Sequence, residues 1–515
     1  MKVKMILPSL IDHQSTLNNL AYSRFPPLGL ATLAGYLRED DDVTITDEHV
    51  QTLNLDDHPD LVVIQVYITN AFRAYKIADG YRARGVYVIM GGLHTTALPE
   101  EALQHADTIC LGPGEDTWPE FLNDFRAGHP KNIYRSLNRT MVGMPKIRRD
   151  LIREDLYLAP NSIVVSRGCP HHCDFCYKDS FYQGGKSFYT MRGQDALSEI
   201  EQFKWKHVYF LDDNLFGDPR FATELFDGLR PMNRVWQAAG TVNAVLNQAL
   251  LEKAVASGLR SLFIGFETLS EANLRNYNKG QNLHRDYREA IRRLHSLGVM
   301  VNASFVFGMD NDDISAFDRT IDWAIENGIE TASLHILTPY PGTALYENLA
   351  KQNRIIHKNW SLYDTKHAVF QPAKMSPEEL ERNFLKAYYK FFKWSSIFKA
   401  ALTHQSWAQR LQHLAYTGGW KKFDPVWSLL IKHGQINRMI PFLEMVLKGN
   451  GRAKARRRRS FNISDLPVRT GVMENDWLEE HGRTLLGQPP ILQTKAVLGF
   501  RECVPSEHEV EWVSR

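Results

Sequence analysis

Ser166-Arg-Gly-Cys169-Pro-His-His-Cys173-Asp-Phe-Cys176-Tyr177 is the stretch on which the reading of this chain turns. It continues Ile163-Val-Val-Ser166, a β-branched run that predicts a strand, so three cysteines at C-x3-C-x2-C spacing fall on the loop leaving that strand. Three thiolates so spaced can wrap one face of a cubane iron-sulfur cluster, whereas an electron-transfer cluster takes four. One iron then keeps an open position for a substrate or cosubstrate. The alternative is a structural zinc knot closed by His171 or His172 as fourth ligand.

Downstream of this loop, strand candidates recur at Val208-Leu211, Val235-Ala239, Leu262-Phe266, Val301-Phe307 and Ala332-Leu337. Helical stretches between them end at Gly258, Gly298 and Gly328, where C-terminal caps belong. Six strand-helix units predict a curved (β/α)6 partial TIM-type barrel over residues 161–350, with chemistry at the strand tops. Upstream, Val3-Leu7, Val43-Thr46, Leu61-Ile68, Val86-Met90 and Thr108-Leu111 alternate with helical stretches and predict a Rossmann-like, doubly wound domain over 1–130. Ligands of such sheets bind beyond the carboxyl ends of the strands, here Pro8-Ser9, Thr69-Asn70, Gly91-Gly92 and Gly112-Pro113-Gly114. Residues 131–160 read as a linker. Past about Pro372 amphipathic helices dominate, at Pro377-Trp394, Ser396-Tyr416 and Val426-Lys448, so 351–515 is a mostly helical region with a basic run at Arg452-Arg459. The fold class is α/β throughout its first two units.

The 515 residues are 43% hydrophobic, and 61 Lys+Arg against 59 Asp+Glu leave a formal charge of +2, too small an excess for a dedicated nucleic-acid binder. Five cysteines are too few for a secreted disulfide scaffold, which points to a reducing cytosol. No window approaches the roughly 20 apolar residues of a membrane span. Cys110, inside a strand run, reads as a core residue, and Cys503 has no evident partner.

The cysteine loop after the first strand of a six-unit barrel resembles the radical S-adenosylmethionine (SAM) superfamily, and the preceding doubly wound domain resembles that superfamily's cobalamin-binding subclass. That subclass includes hopanoid methylases, the anaerobic Mg-protoporphyrin ester cyclase and bacteriochlorophyll side-chain methyltransferases. Pro27-Leu-Gly-Leu-Ala-Thr-Leu-Ala-Gly-Tyr-Leu37, Gly91-Gly-Leu-His-Thr-Thr-Ala-Leu-Pro-Glu100 and Thr338-Pro-Tyr-Pro-Gly-Thr343 strengthen the likeness, which covers roughly residues 1 to 350. The resemblance implies a [4Fe-4S] cluster on Cys169, Cys173 and Cys176, with the methionyl amine and carboxylate of SAM on the fourth iron. It places Phe175 beside adenine, Glu267 at the ribose and Val306-Phe307-Gly308 against adenine. Asp212 and Asp213 stand where the family binds the amine, although the usual Gly-Gly-Glu is absent; a helix cap or solvated loop is the plain alternative for such strand-end acids. For cobalamin it implies Gly91 and Gly92 at the nucleotide tail, with Thr69 and Gly112 as further strand-end contacts. Asp12-His13-Gln14 does not match the cobalt-coordinating histidine motif, and radical members commonly lack it.

The expected activity is methyl transfer to an unactivated carbon of a biosynthetic intermediate, a tetrapyrrole or polycyclic lipid. The helical C-terminal region is expected to cover the barrel opening. A flavodoxin or ferredoxin is the implied electron donor. Rivals are a cyclase using the same cofactors without methyl transfer, and a corrinoid- or zinc-binding regulatory protein without turnover. Aromatic helices around Trp394, Trp407 and Trp420, with the basic run, would suit peripheral contact with an anionic membrane, or serve only as a lid and linker.

Overall fold

The computed structural model describes residues 1–10, 25–422, 430 and 435–448. The apolar runs of the first domain form β1 (Lys2–Leu7), β2 (Asp42–Asp47), β3 (Leu61–Gln65), β4 (Tyr87–Gly91), β5 (Thr108–Leu111) and β6 (Ile133–Arg135), all parallel. Their order, β2-β1-β3-β4-β5-β6, reverses direction at β1, so the ligand crevice opens between the carboxyl ends of β1 and β3. Helices cover both faces and give two apolar cores, one around Ile64, Tyr81 and Met90, the other around Met5, Trp118 and Phe121. The sixth strand corrects the reading of 131–160 as a plain linker. Ile-Tyr-Arg is an exposed-buried-exposed edge of three residues, too short to show a period.

The second unit opens with β7 (Ser162–Ile163), after which β8 (Ser166–Gly168) peels away to pair antiparallel with β9 (Phe188–Thr190). β7 joins β10 (His207–Phe210), β11 (Val235–Gly240), β12 (Leu259–Glu267), β13 (Met300–Phe307) and β14 (Thr331–Ile336) in sequence order, all parallel, as expected of an open six-stranded barrel. Gly258, Gly298 and Gly328 take the positive φ anticipated for caps.

The region after the barrel departs from the expectation in three ways. Residues Trp360 to Phe370 are an irregular strap rather than helix, and Trp360, Tyr363 and Val369 complete the core of the first domain. The expected helix Ser396-Tyr416 is two, Trp394–Leu402 and Trp407–Lys422, because Ser406 turns back to accept a hydrogen bond from the Gln409 N–H at 3.2 Å and starts a new helix. Nor do these helices cover the barrel opening. Tyr416, Leu443 and Leu447 pack with Val235 and Met300, the first residues of β11 and β13, and Glu444 accepts from the backbone N–H groups of Lys206 and His207 at 2.7 and 3.0 Å. They plug the amino-terminal end of the barrel. Asp12-His13-Gln14, residues 426–429 and 431–434 of the expected helix Val426-Lys448, the basic run and Cys503 lie outside the described residues, while Ile436–Met439 and Ile440–Lys448 of that stretch are helical.

Gly92, which leaves β4 toward the crevice, has φ +117° and ψ −170°, and a Cβ there would lie 2.7 Å from the Val66 carbonyl oxygen. Gly92→Ala is therefore expected to cost about 1–3 kcal/mol of stability, through backbone strain alone. Urea unfolding of the cofactor-free chain checks this, and an unchanged midpoint would contradict it.

Candidate active site

The cysteine loop is pinned at both ends. Asp212, just beyond β10, buries its carboxylate and accepts hydrogen bonds from the backbone N–H of Val165 at 3.1 Å, the N–H of Ser166 at 2.5 Å and the Ser166 hydroxyl at 2.5 Å. This clamps the chain where it leaves the barrel sheet. Gly168 follows with φ +76°, and a Cβ there would stand 2.0 Å from the Ser187 carbonyl oxygen, the same oxygen that receives the Cys169 N–H at 3.0 Å. Only glycine admits that approach. Farther along, Asp174 N–H donates to Tyr277 O at 3.2 Å and Leu345 N–H to Asp174 O at 3.0 Å, which fastens the loop to the fourth and sixth barrel units.

Cys169 and Cys176 are half-buried, Cys173 is buried, and all three are free thiols. Burial raises the thiol of Cys169 and pushes that of Cys176 up to about 12, so without a cationic ligand these groups hold their protons; iron would reverse that balance. Among the described residues only His295, Glu330 and His404 bring three metal-binding atoms within 4.8 Å of one another. The three cysteine sulfurs are therefore spread more widely than the roughly 3.8 Å that tetrahedral zinc with about 2.3 Å bonds would impose. His172 turns its Nδ1 to the Asp179 carboxylate at 3.0 Å. The donor set fits a cubane held on three corners rather than the zinc knot. Two amides face the sulfurs: Asn214 Nδ2 lies 3.8 Å from Cys169 Sγ and Gln281 Nε2 lies 3.4 Å from Cys173 Sγ. Asn214 Oδ1, buried beside the loop, has no hydrogen-bond partner among the described residues, as befits a group that awaits a ligand.

The expected SAM-binding residues separate into those that face this loop and those that do not. Asp213 accepts from the Tyr177 hydroxyl at 2.7 Å, is exposed and lies close enough to raise the Cys176 thiol, so it can meet a cosubstrate ammonium. Asp212 cannot: its oxygens point inward to Val165 and Ser166, and the cap-like alternative describes it. Glu267 ends β12 at φ +63°, at a break in the β12–β13 register, and accepts from Lys279 Nζ at 2.7 Å. Lys279 in turn stands 5.8 Å from the centroid of the Phe175 ring. Burial alone would depress this lysine, but Glu267 and the cysteines outweigh it and keep the ammonium charged. Phe307 is a correction. Its ring stacks on Phe317 at 4.5 Å, in the layer between sheet and helices, so neighbouring Val306 points to the opposite face.

Two cavities open at the carboxyl ends of the first sheet. The smaller, about 120 Å³, is lined by Gly29, Gln65, Gly91, Gly92, Gly112 and Trp118, with Arg167 and Glu115 paired at its edge. The larger, about 650 Å³, lies between the first domain and the barrel and is walled by Thr69, Leu93 and His94 on one side, Tyr177, Ser180 and Phe181 on the other, and by Tyr340 and Tyr363. Gln65 Oε1 in the first and His94 Nδ1 in the second are buried without partners among the described residues. Bound corrinoid would be held by the residues of these two spaces, with the glycine-lined smaller one offering the close backbone approach its nucleotide tail would need. A Cβ on Gly91 would make only an ordinary 3.6 Å contact, so the protein itself does not require glycine there. Cys110 is buried in the sheet, as expected, its thiol pushed up to about 12 by burial.

Sequence reading missed Lys279 and Gln281, which sit in an aperiodic loop, and Tyr363 of the strap. Tyr177 was within the quoted motif, but only the turn of the short helix Tyr177–Phe181 shows that it faces the larger cavity.

Burial raises Asp212 to about 7, so the folded chain keeps a proton that the unfolded chain releases near pH 4. Its stabilising contribution is complete below that pH and is lost as pH rises to about 7. Asp212→Asn should flatten stability across this window, measured by urea unfolding of cluster-free protein; an unaltered pH profile would count against the clamp.

Against known families, the Radical SAM superfamily matches residues 163–324 and the B12 binding domain matches residues 15–122. Bacteriochlorophyllide d C-12(1)-methyltransferase of Chlorobaculum tepidum is 32% identical over 392 residues, 72% of this chain and 84% of that protein. Bacteriochlorophyllide d C-8(2)-methyltransferase of the same organism is 27% identical, over 69% of this chain and 83% of that one. Among solved structures, the cobalamin-dependent SAM radical enzyme OxsB superposes with a TM-score of 0.59 at 15% identity, covering 86% of this chain and 75% of OxsB, which supports the fold. The cofactors are a [4Fe-4S] cluster, SAM and cobalamin. With its three-cysteine loop after the first barrel strand and its B12-binding sheet domain, the chain belongs to the radical SAM methyltransferases that carry a B12-binding domain.

Proposed function

We propose that the methyl acceptor is a large, apolar, ring-built biosynthetic intermediate, a tetrapyrrole of the bacteriochlorophyll type or a polycyclic lipid, modified at an unactivated carbon. The observation that carries this reading is a shared wall: Tyr177, the residue after Cys176, lines the larger cavity opposite Thr69, Leu93 and His94. The cysteine loop and the crevice of the first domain thus look onto one aromatic-sided space. When bound, the cofactors supply the radical chemistry and the methyl group. The chain's own work is to orient and to exclude water. Asp213 takes the cosubstrate ammonium, the Glu267–Lys279 pair fixes a charged floor beside Phe175, and Tyr340 and Tyr363 close the apolar side. The cyclase alternative draws no support from the two bacteriochlorophyllide methyltransferases.

We also propose a low-potential flavodoxin or ferredoxin as donor, and a peripheral contact with anionic lipid. The second rests on Leu385, Tyr389, Phe398, Leu402 and Trp407, large apolar side chains left exposed on successive C-terminal helices ahead of the basic run at 452–459. Among the described residues no helix is long and apolar enough to cross a membrane.

Anaerobic incubation with a bacteriochlorophyllide, SAM, cobalamin and a reductant should yield a product heavier by one methylene; a product lighter by hydrogens would instead establish the cyclase. Cys173→Ala should abolish release of 5′-deoxyadenosine while corrinoid still co-purifies, read from the visible spectrum. Cleavage persisting in that variant would exclude the cysteine loop as the cluster site. Sedimentation with phosphatidylglycerol vesicles should recover the chain at low salt, with Phe398→Glu plus Trp407→Glu lowering the bound fraction by about threefold or more. Equal recovery of the double variant would remove the lipid contact.

A further inference from the structure

Far from the cysteine loop, at the amino-terminal end of the barrel, a second group of potential ligands converges. His295 lies in the last turn of the helix Tyr287–Ser296, Glu330 immediately precedes β14, His404 sits in the turn between Trp394–Leu402 and Trp407–Lys422, and His413 is on the latter helix. Glu330, His404 and His413 are almost fully buried. His295 Nε2 stands 3.3 Å from Glu330 Oε2, His404 Nε2 stands 3.5 Å from Glu330 Oε1, and His404 Nε2 stands 3.1 Å from His413 Nδ1. Bonds of 2.0–2.1 Å to a tetrahedral zinc ion would hold neighbouring ligand atoms about 3.3 Å apart, close to the separations of Glu330 from His295 and His404, and the ligand atoms of these three residues all lie within 4.8 Å of one another.

We propose that His295, Glu330 and His404 form a zinc site that locks the C-terminal helices onto the base of the barrel, with His413 beside His404 as its hydrogen-bond neighbour. Two imidazole nitrogens and one carboxylate are a donor set for zinc. Charge supports the assignment. Among the described residues the ion-pair partners of the Glu330 carboxylate are these imidazoles, with no lysine or arginine salt bridge, and a buried anion calls for a cation. The surrounding contacts hold the cage rigid. Glu330 Oε2 also receives the Val301 N–H at 2.9 Å, the Thr417 hydroxyl donates to Glu330 O at 2.7 Å, and Gln409 Nε2 donates to His295 O at 2.7 Å. The placement accounts for a feature of the fold: the cage joins the turn between the two C-terminal helices to the helix end of the fourth barrel unit and the start of the sixth strand.

The competing reading is a metal-free hydrogen-bonded cluster, in which His295 donates to Glu330 and His404 to His413. Full-length chain carrying Cys169→Ala, Cys173→Ala and Cys176→Ala removes the other thiol site and separates the two readings. After dialysis against a weak chelator it should retain about one zinc per chain by mass spectrometry, and X-ray absorption should show nitrogen and oxygen neighbours with imidazole scattering and no sulfur. Substitution by cobalt(II) should give the intense visible bands of a tetrahedral site. Glu330→Gln and His404→Gln should each lower metal content by about tenfold or more. Zinc below a tenth of an equivalent in the protein with an intact cage, or zinc undiminished in both variants, overturns the proposal. Should either variant fail to fold, the cobalt spectrum of the intact cage decides alone: absence of tetrahedral bands refutes the site.

Discussion

A buried carboxylate clamps the strand that carries the chemistry. Asp212 spends both oxygens on the backbone of Val165 and Ser166, and this is what lets β8 swing out of the barrel sheet without stranding its N–H groups. Unpaired, each of those buried donors would cost about 1–3 kcal/mol. Gly168 then passes under Ser187, and the three cysteines are delivered to the barrel rim rather than into its core. A strand that stayed in register would bury the thiols among the strands, with no room for a cluster.

The cleft depends on holding two domains at a fixed distance. Arg167, one residue before Gly168, pairs with Glu115 on the helix that follows β5, and Arg139 of the connector pairs with Asp116 at 2.7 Å. Both arginines are largely buried, and breaking one partner of such a pair typically costs about 3–5 kcal/mol because the other charge is left without water. Across the cleft the strap returns from the barrel, and Trp360 donates its indole N–H to Glu101 at 3.0 Å, beside His94. Buried contacts therefore tie the crevice of the first domain to the cysteine loop. Alignment of two large cofactors on one carbon requires such ties.

Both parallel sheets were legible because parallel strands buried on two faces print continuous β-branched runs. What escaped was set by tertiary position. Asp212 and Asp213 are adjacent and chemically identical, yet one faces Ser166 and the other Tyr177, a difference decided by the chain's course beyond β10. Phe307 looked like a ligand contact because its strand ends at the mouth; the phase of the alternation puts its ring on Phe317 instead. Lys279 and Gln281 lie on a loop without periodicity, and only the fold brings them to Phe175 and Cys173. The C-terminal helices showed their amphipathic faces but not their docking end, since a stripe of Phe384, Ala387 and Phe391 fits any apolar surface.

Electron paramagnetic resonance of the reduced, anaerobically reconstituted protein, recorded with and without SAM, probes the open iron. A three-cysteine cluster should give a [4Fe-4S]⁺ signal whose g-values shift when SAM is added, in protein that also carries bound corrinoid. A signal indifferent to SAM, or a metal centre ligated wholly by the protein, would contradict the account.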